Sequence, residues 1–405
     1  MGISRNASVL IFLIAVSYFL FGLRSMEPYK QIDFRNLYLG GVLYQTAQNP
    51  YVDTSLKAAW DSISNTYHIS KYPLPGYPDN FLVYPPSALL LYLPFAQLNW
   101  LYAAILNTIL LVLSMFGILF FWLRIFKVQM GSIQSLLIMS MFLFFKGTDH
   151  SILVGQPTVF LFFIASFTLY LYIKGGNRYW VAILLALVCV KPTLAFPFLC
   201  YFLYTRNWFI LFAAGIIQLL LSALAEIIWS GEGYLHQSFF ENINYMQSLR
   251  YTNVQNMAFF SVFTDSTQLL RFYFDWPVSY FGWIQRIAVL LFVVWFMFFK
   301  RNLNMLQFFS ITMVFALAFT YHLYYDGILL LPLFIWLVIA YKQLNVLVMA
   351  MLAIVMLPIN GILNRIESTA MPQVLYMHMS IALLCLFIWC LAHVPKHSDI
   401  TTISS

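Results

Sequence analysis

Apolar runs, parted by short polar links, occupy most of this chain, and their length is the first thing to explain. A bilayer core about 30 Å thick is crossed by about 20 helical residues. Residues 8–23 form one such run, and others lie at roughly 100–123, 131–147, 156–173, 179–190, 193–204, 207–229, 281–299, 303–320, 325–341, 344–358 and 373–393. The pattern predicts an all-α polytopic membrane protein with about 12 transmembrane helices. The runs 179–190 and 193–204 are short enough to be thin, tilted or partly re-entrant. The first run follows Arg5 and has no small-residue cleavage site after it, so it reads as a retained span. Residues 84–98 are short and proline-broken and read as interfacial or dipping in and returning. Two long polar, aromatic stretches, 24–99 and 230–280, interrupt the series. Within the first, residues 34–47 have helical spacing, with Leu37, Gly41 and Tyr44 on one face.

Composition supports this pattern. Charged residues make up 9% of the chain and hydrophobic ones 62%, against about 25% charged in soluble domains, so no soluble domain of any size is expected. Residues 1–393 read as a single membrane domain and 394–405 as a short tail. The net charge of +7 comes without a Lys/Arg cluster or basic helix, which excludes a nucleic-acid partner. Basic residues instead fall on alternate links: Arg124/Lys127, Lys174/Arg178, Arg206, Lys300/Arg301 and Lys342, with Arg5 and Lys396 near the ends. Of the acidic residues only Asp399 shares that side. By the positive-inside rule both termini are cytoplasmic, and 24–99 and 230–280 are extracytoplasmic. Cys189, Cys200, Cys385 and Cys390 all sit inside apolar runs, without disulfide or zinc spacing.

The polar residues that need a reason gather on the outer side. Asp33 opens the helical stretch of the first loop, either as a helix N-cap or as a carboxylate held at the membrane surface as a general base. Lys146, Asp149 and His150, followed by Gln156, could bind an anionic head group, although Lys146 can also simply snorkel. Lys191 separates two short apolar halves, so it should face a cavity, a partner or water, and a phosphate would suit it. Tyr321, His322 and Asp326 lie where the ninth and tenth spans meet, and His322 could donate to a phosphate or shuttle a proton. The second loop offers Arg250, Asn253, Gln255 and Asn256. No acidic cluster demands a divalent metal and no cofactor is expected.

Asp33-Phe34 near the first span, a helix closing on Asn49-Pro50-Tyr51, then Tyr84-Pro85-Pro86, Gly155-Gln156, Lys191-Pro192-Thr193 and the polar element Asn253–Asn256 follow one another in a familiar order. The ordered set resembles glycosyltransferase family 87. That resemblance implies the C-type glycosyltransferase fold and transfer of a hexose, typically mannose, from a polyprenyl-phosphate sugar to a lipid-linked or glycan acceptor outside the cytoplasm, with inversion. It would make Asp33 the catalytic base and place Lys191 and His322 near the donor phosphate. The chain departs from the pattern at Gln255-Asn256-Met257, where Asn-Gln-Ser is expected, and at Tyr321, where a second histidine is frequent. The chemistry suits a bacterial inner membrane: a lipid-borne phosphate arrives in the membrane plane, an acceptor hydroxyl loses its proton to a carboxylate, and cations such as Arg250 steady the leaving phosphate. Two other readings are open. A secondary transporter would show internal repeats around a mid-membrane site, and none is evident. A non-catalytic polymer-assembly subunit would keep the fold without the donor.

Overall fold

The computed structural model describes residues 4–24, 31–66, 82–252, 278–299, 303–320, 324–339, 351, 354–355 and 378–392. Every regular element among them is helical. In chain order they are α1 (Arg5–Arg24), α2 (Ile32–Gln45), α3 (Asp53–Thr66), α4 (Pro86–Ala96), α5 (Trp100–Ile125), α6 (Ile133–Phe144), α7 (Lys146–Leu153) and α8 (Pro157–Ile173). There follow α9 (Arg178–Val188), α10 (Pro192–Tyr204), α11 (Trp208–Ile228), α12 (Leu235–Thr252), α13 (Val278–Phe299) and α14 (Met305–Phe319). A 3₁₀ segment, Tyr324–Leu330, then leads into α15 (Leu331–Ile339), and α16 is His378–Ala392.

Local chemistry starts these helices where it should. Asn99 accepts from Tyr102 N at 3.1 Å, Ser132 from Ser135 N at 3.1 Å and Asn177 from Tyr179 N at 2.9 Å. Asn304 and Gln307 form a reciprocal capping box at the start of α14. Pro86, Pro157 and Pro192 occupy first-turn positions, where a missing N–H costs no hydrogen bond.

Length qualifies the expected span count. Among the described residues α1, α5 and α11 are long and apolar enough to cross a bilayer, and α6 with α7 adds a fourth if that pair, bent by 54°, counts as one span. Several other apolar helices are shorter. Helices α8, α9, α10 and α14 have 17, 11, 13 and 15 residues, roughly 26, 17, 20 and 23 Å at 1.5 Å per residue. The break between α9 and α10 falls at Lys191, and the run expected at 131–147 ends at Phe145, where the chain turns into α7. The run expected at 344–358 lies almost wholly outside the described residues.

Packing pairs α5 with α8, α1 with α6, α9 with α8 and α11, and α14 with α15 and α16. Their shared core includes Trp122, Phe162, Phe198, Phe309 and Phe334, all fully buried. The outward faces are equally apolar: Leu10 and Phe21 on α1, Leu113 and Phe116 on α5, and Leu219 and Ile227 on α11 are exposed. Such a surface is suited to lipid and would aggregate in water. A second core belongs to α2–α5 and centres on Trp100, on which Phe34 stacks at 5.7 Å while Tyr38 and Trp60 meet it edge-on at 5.1 and 5.4 Å. Leu37, Gly41 and Tyr44 are all buried, as their spacing predicts, but so are Phe34, Arg35, Tyr38 and Leu39. Helix α2 is therefore enclosed on nearly every side, with the Arg35 guanidinium 4.9 Å above the Trp60 ring.

Candidate active site

Asp33 lies in the first turn of α2, one position past Ile32, and Gln31 is the N-cap residue. The N-cap reading of Asp33 is thus corrected: its carboxylate sits inside the first turn, where the positive end of the helix dipole favours an anion. The residue is partly exposed although its Oδ2 oxygen is buried, and its neighbours Phe34 and Arg35 are buried throughout. The start of α2 is held from two directions. Gln31 is completely buried; its amide donates to Thr108 Oγ1 at 2.6 Å and Ala104 O at 3.2 Å and accepts from Asn107 Nδ2 at 2.7 Å, tying it to α5. Asp33 N donates to Val154 O at 2.9 Å, tying it to the turn between α7 and α8.

That turn needs Gly155. Its φ is +70°, and a Cβ there would stand 2.7 Å from Phe34 Cβ and 2.8 Å from Gln31 Cβ. Only glycine permits both the left-handed backbone and the close approach. The next residue, Gln156, is buried and accepts from Tyr84 O–H at 3.2 Å. Tyr84 O accepts from Tyr51 O–H at 2.9 Å, Tyr51 N donates to Asn49 Oδ1 at 3.0 Å, and Asn49 Nδ2 donates to Ser238 Oγ on α12 at 2.8 Å. Burial, and then the charge of Glu226, push the Tyr51 phenol well above its usual pKa, so it stays a donor. Glu226 also accepts from Leu235 N at 2.8 Å and His236 N at 3.1 Å, fastening the first turn of α12 to the end of α11.

Two residues beyond Gln156, Thr158 reaches the other half of the site. Lys191, at the start of α10, donates to Thr158 Oγ1 at 2.5 Å and to Asp326 Oδ1 at 2.8 Å, and the Thr158 hydroxyl donates to the same Asp326 oxygen at 2.6 Å. The Lys191 side chain is 12% exposed and that of Asp326 2%. The anion that Lys191 was expected to need is therefore supplied within the chain. Asp326 sits in the 3₁₀ segment, which packs on α7. Across residues 154–158 the backbone can span at most about 14 Å, so one short stretch contacts both Asp33 and Lys191.

The remaining expected residues are distributed differently. Asp149 is 1% exposed and faces α1, where a Cβ on Gly22 would clash with its carboxylate. His150 follows it on α7 and is partly buried. Arg250 falls in α12, but its side chain, like that of Lys146, lies outside the described residues. Gln255, Asn256, Tyr321 and His322 lie outside them as well. Among the described residues no group of acidic, histidine or cysteine side chains has the arrangement of a metal site. Thr158 was not anticipated, being one hydroxyl among many in apolar runs. Asp326 had a usable signal: a lone acid opening the run 325–341 is costly in a membrane and requires a cationic or hydrogen-bonding partner.

An apolar helical bundle with this polar seam is the architecture of an integral membrane protein, and a search of curated proteins returns no match to the chain. The profile of glycosyltransferase family 87 matches residues 81–320, more than half of the chain, and the protein belongs to that family. It is accordingly a membrane glycosyltransferase. The matched region contains Tyr84, Gly155, Gln156, Thr158 and Lys191, whereas Asp33 lies well before it and Asp326 just beyond its end.

Proposed function

We propose that the protein transfers a hexose, most readily mannose, from a polyprenyl-phosphate sugar to a glycolipid or glycan acceptor on the extracytoplasmic face of the cell membrane, with inversion. Its fold on this reading is the C-type glycosyltransferase fold with about 12 crossings, some of them by short or tilted helices. The acceptor hydroxyl gives its proton to Asp33 as its oxygen bonds the anomeric carbon, and the bond from that carbon to the phosphate oxygen breaks on the opposite side. Lys191, with His322 and Arg250, takes up the charge of the departing phosphate. Asp149, His150, Gln156, Tyr321, Gln255 and Asn256 are the further candidates for the same site.

The observation that carries this reading is the continuity of the polar seam. Motifs scattered between Asn49 and Lys191 are joined through Tyr51, Tyr84, Gln156 and Thr158, and residues 154–158 adjoin both Asp33 and Lys191. A carboxylate and a cation served by one short stretch suit a reaction that removes a proton at one end and expels a phosphate at the other. The test is to incubate purified protein in lipid with radiolabelled polyprenyl-phosphate mannose, glucose and galactose and a set of glycolipid acceptors. Transfer from the mannosyl lipid is expected. Transfer from a nucleotide sugar alone, or from none of these lipids, overturns the proposal.

A further inference from the structure

Lys191 carries three N–H donors. Two are committed to Thr158 and Asp326, and among the described residues no protein acceptor takes the third. The ammonium is mostly buried, and a charge taken out of water is costly unless it is paired. Asp326 thus holds the Lys191 ammonium in place and aimed before any ligand arrives, and Thr158, donating to one and accepting from the other, sets the spacing of the pair.

The same carboxylate must act on a phosphate that meets the third N–H. Two anions sharing one ammonium stand about 4–5 Å apart, where like charges repel by several kcal/mol even at an effective dielectric near 20. The two lipids of the reaction differ in charge. A sugar phosphodiester bears one negative charge, while the monoester left after transfer bears about 1.5–2 at neutral pH. Repulsion from Asp326 is therefore greater for the product than for the donor.

We infer that Asp326 is a positioning residue that acts through Lys191: it holds the ammonium ready for the donor phosphodiester and, by its own charge, drives off the more highly charged polyprenyl monophosphate. This rests on the reading of Lys191 as a phosphate ligand given above. The pair is in this sense a discriminator between donor and product, built from three side chains on α8, α10 and the 3₁₀ segment.

The test uses detergent-solubilised full-length protein with two probes, farnesyl phosphate as the monoester and its methyl ester as the diester, binding being measured by calorimetry. Asp326→Asn is expected to bind the monoester about tenfold or more tightly than the parent, and the diester by a smaller factor. In turnover the variant should show lower KM and lower kcat, with stronger inhibition by added farnesyl phosphate. A purely structural role for Asp326 predicts weaker binding of both probes. If Asp326→Asn is unstable, Asp326→Ser removes the same charge, and farnesyl phosphate should then raise its Tm by more than it raises the parent's, because the ligand supplies the missing counter-charge. Unchanged or weaker binding by both variants, alongside weakened binding in Lys191→Gln, sinks this inference and leaves the phosphate role of Lys191 standing. Unaltered binding of both probes by Lys191→Gln removes that role and the inference with it.

Discussion

Asp33 and Lys191 illustrate how differently a membrane protein can treat two ionisable side chains. Asp33 lies in the first turn of α2, where the positive end of the helix dipole favours its charge. Replacing it with Asn keeps size and hydrogen-bonding capacity but removes the basic oxygen. Asp33→Asn should lower kcat by about 10²–10⁴-fold, with donor affinity and thermal midpoint near those of the parent. Near-normal turnover by this variant would exclude Asp33 as the base and leave Asp149 as the next candidate. Lys191 is the opposite case. Its removal strands a carboxylate that is 2% exposed, and deleting one member of a buried pair costs about 3–5 kcal/mol. Lys191→Ala should therefore lower the thermal midpoint. The double variant Lys191→Met/Asp326→Leu should recover most of that loss, because an apolar pair of similar volume satisfies the same space. Equal midpoints for the single and double variants would show that the ion pair contributes no coupling.

At the scale of elements, the junction between α2 and α8 decides where the candidate base stands. Helix α2 is seated on the Trp100 core, with Gly40 and Gly41 set close against Leu82 and Ala96, and polar contacts hold its first turn: Gln31 on α5 and Asp33 N on Val154 O. Gly155 makes the second contact possible. Gly155→Ala combines a positive φ with a Cβ inside the contact distance of Phe34 and Gln31, and left-handed strain alone costs about 1–3 kcal/mol. The variant should unfold at lower temperature and lose activity out of proportion to the fraction unfolded, because Asp33 is displaced. Measuring kcat well below the unfolding transition separates the two effects, and parental kcat there would argue that the position of α2 is immaterial. The link from Glu226 to the first turn of α12 plays a similar part at the far end of the seam, holding Ser238 where Asn49 can reach it.

For the whole molecule the open variable is which side of the membrane carries the seam. Short basic links, poor in acids, predict that the stretches 24–99 and 230–280 share the outer face. The hydrogen bonds of Asn49 to Ser238 and of Asn242 Nδ2 to Leu82 O, at 2.8 Å each, join those two stretches and are consistent with both being on one side. Single cysteines at the exposed positions Asn65 and Glu241 should react with an impermeant thiol reagent in intact cells. Labelling of either only after permeabilisation would reverse the orientation and place the proposed reaction in the cytoplasm.

The apolar runs alone determined where the helices lie: α1, α5, α8, α11, α13, α14 and α16 all match stretches legible from hydropathy, because a membrane helix must satisfy its own backbone and show lipid an apolar face. The order of the weak motifs was enough to suggest the family, and Asp33, Gln156 and Lys191 were identifiable as polar groups that needed a reason. Periodicity could not reveal that α2 is enclosed on almost all sides, since a helix buried all round carries no distinct stripe. Nor could it show that the run 131–147 bends at Phe145, where a turn within an apolar run leaves hydropathy unchanged. Above all, the partner of Lys191 depended on tertiary structure. Asp326 stands 135 residues away, and only the packing of the 3₁₀ segment beside α7 and α8 brings its carboxylate to an ammonium that burial would otherwise penalise.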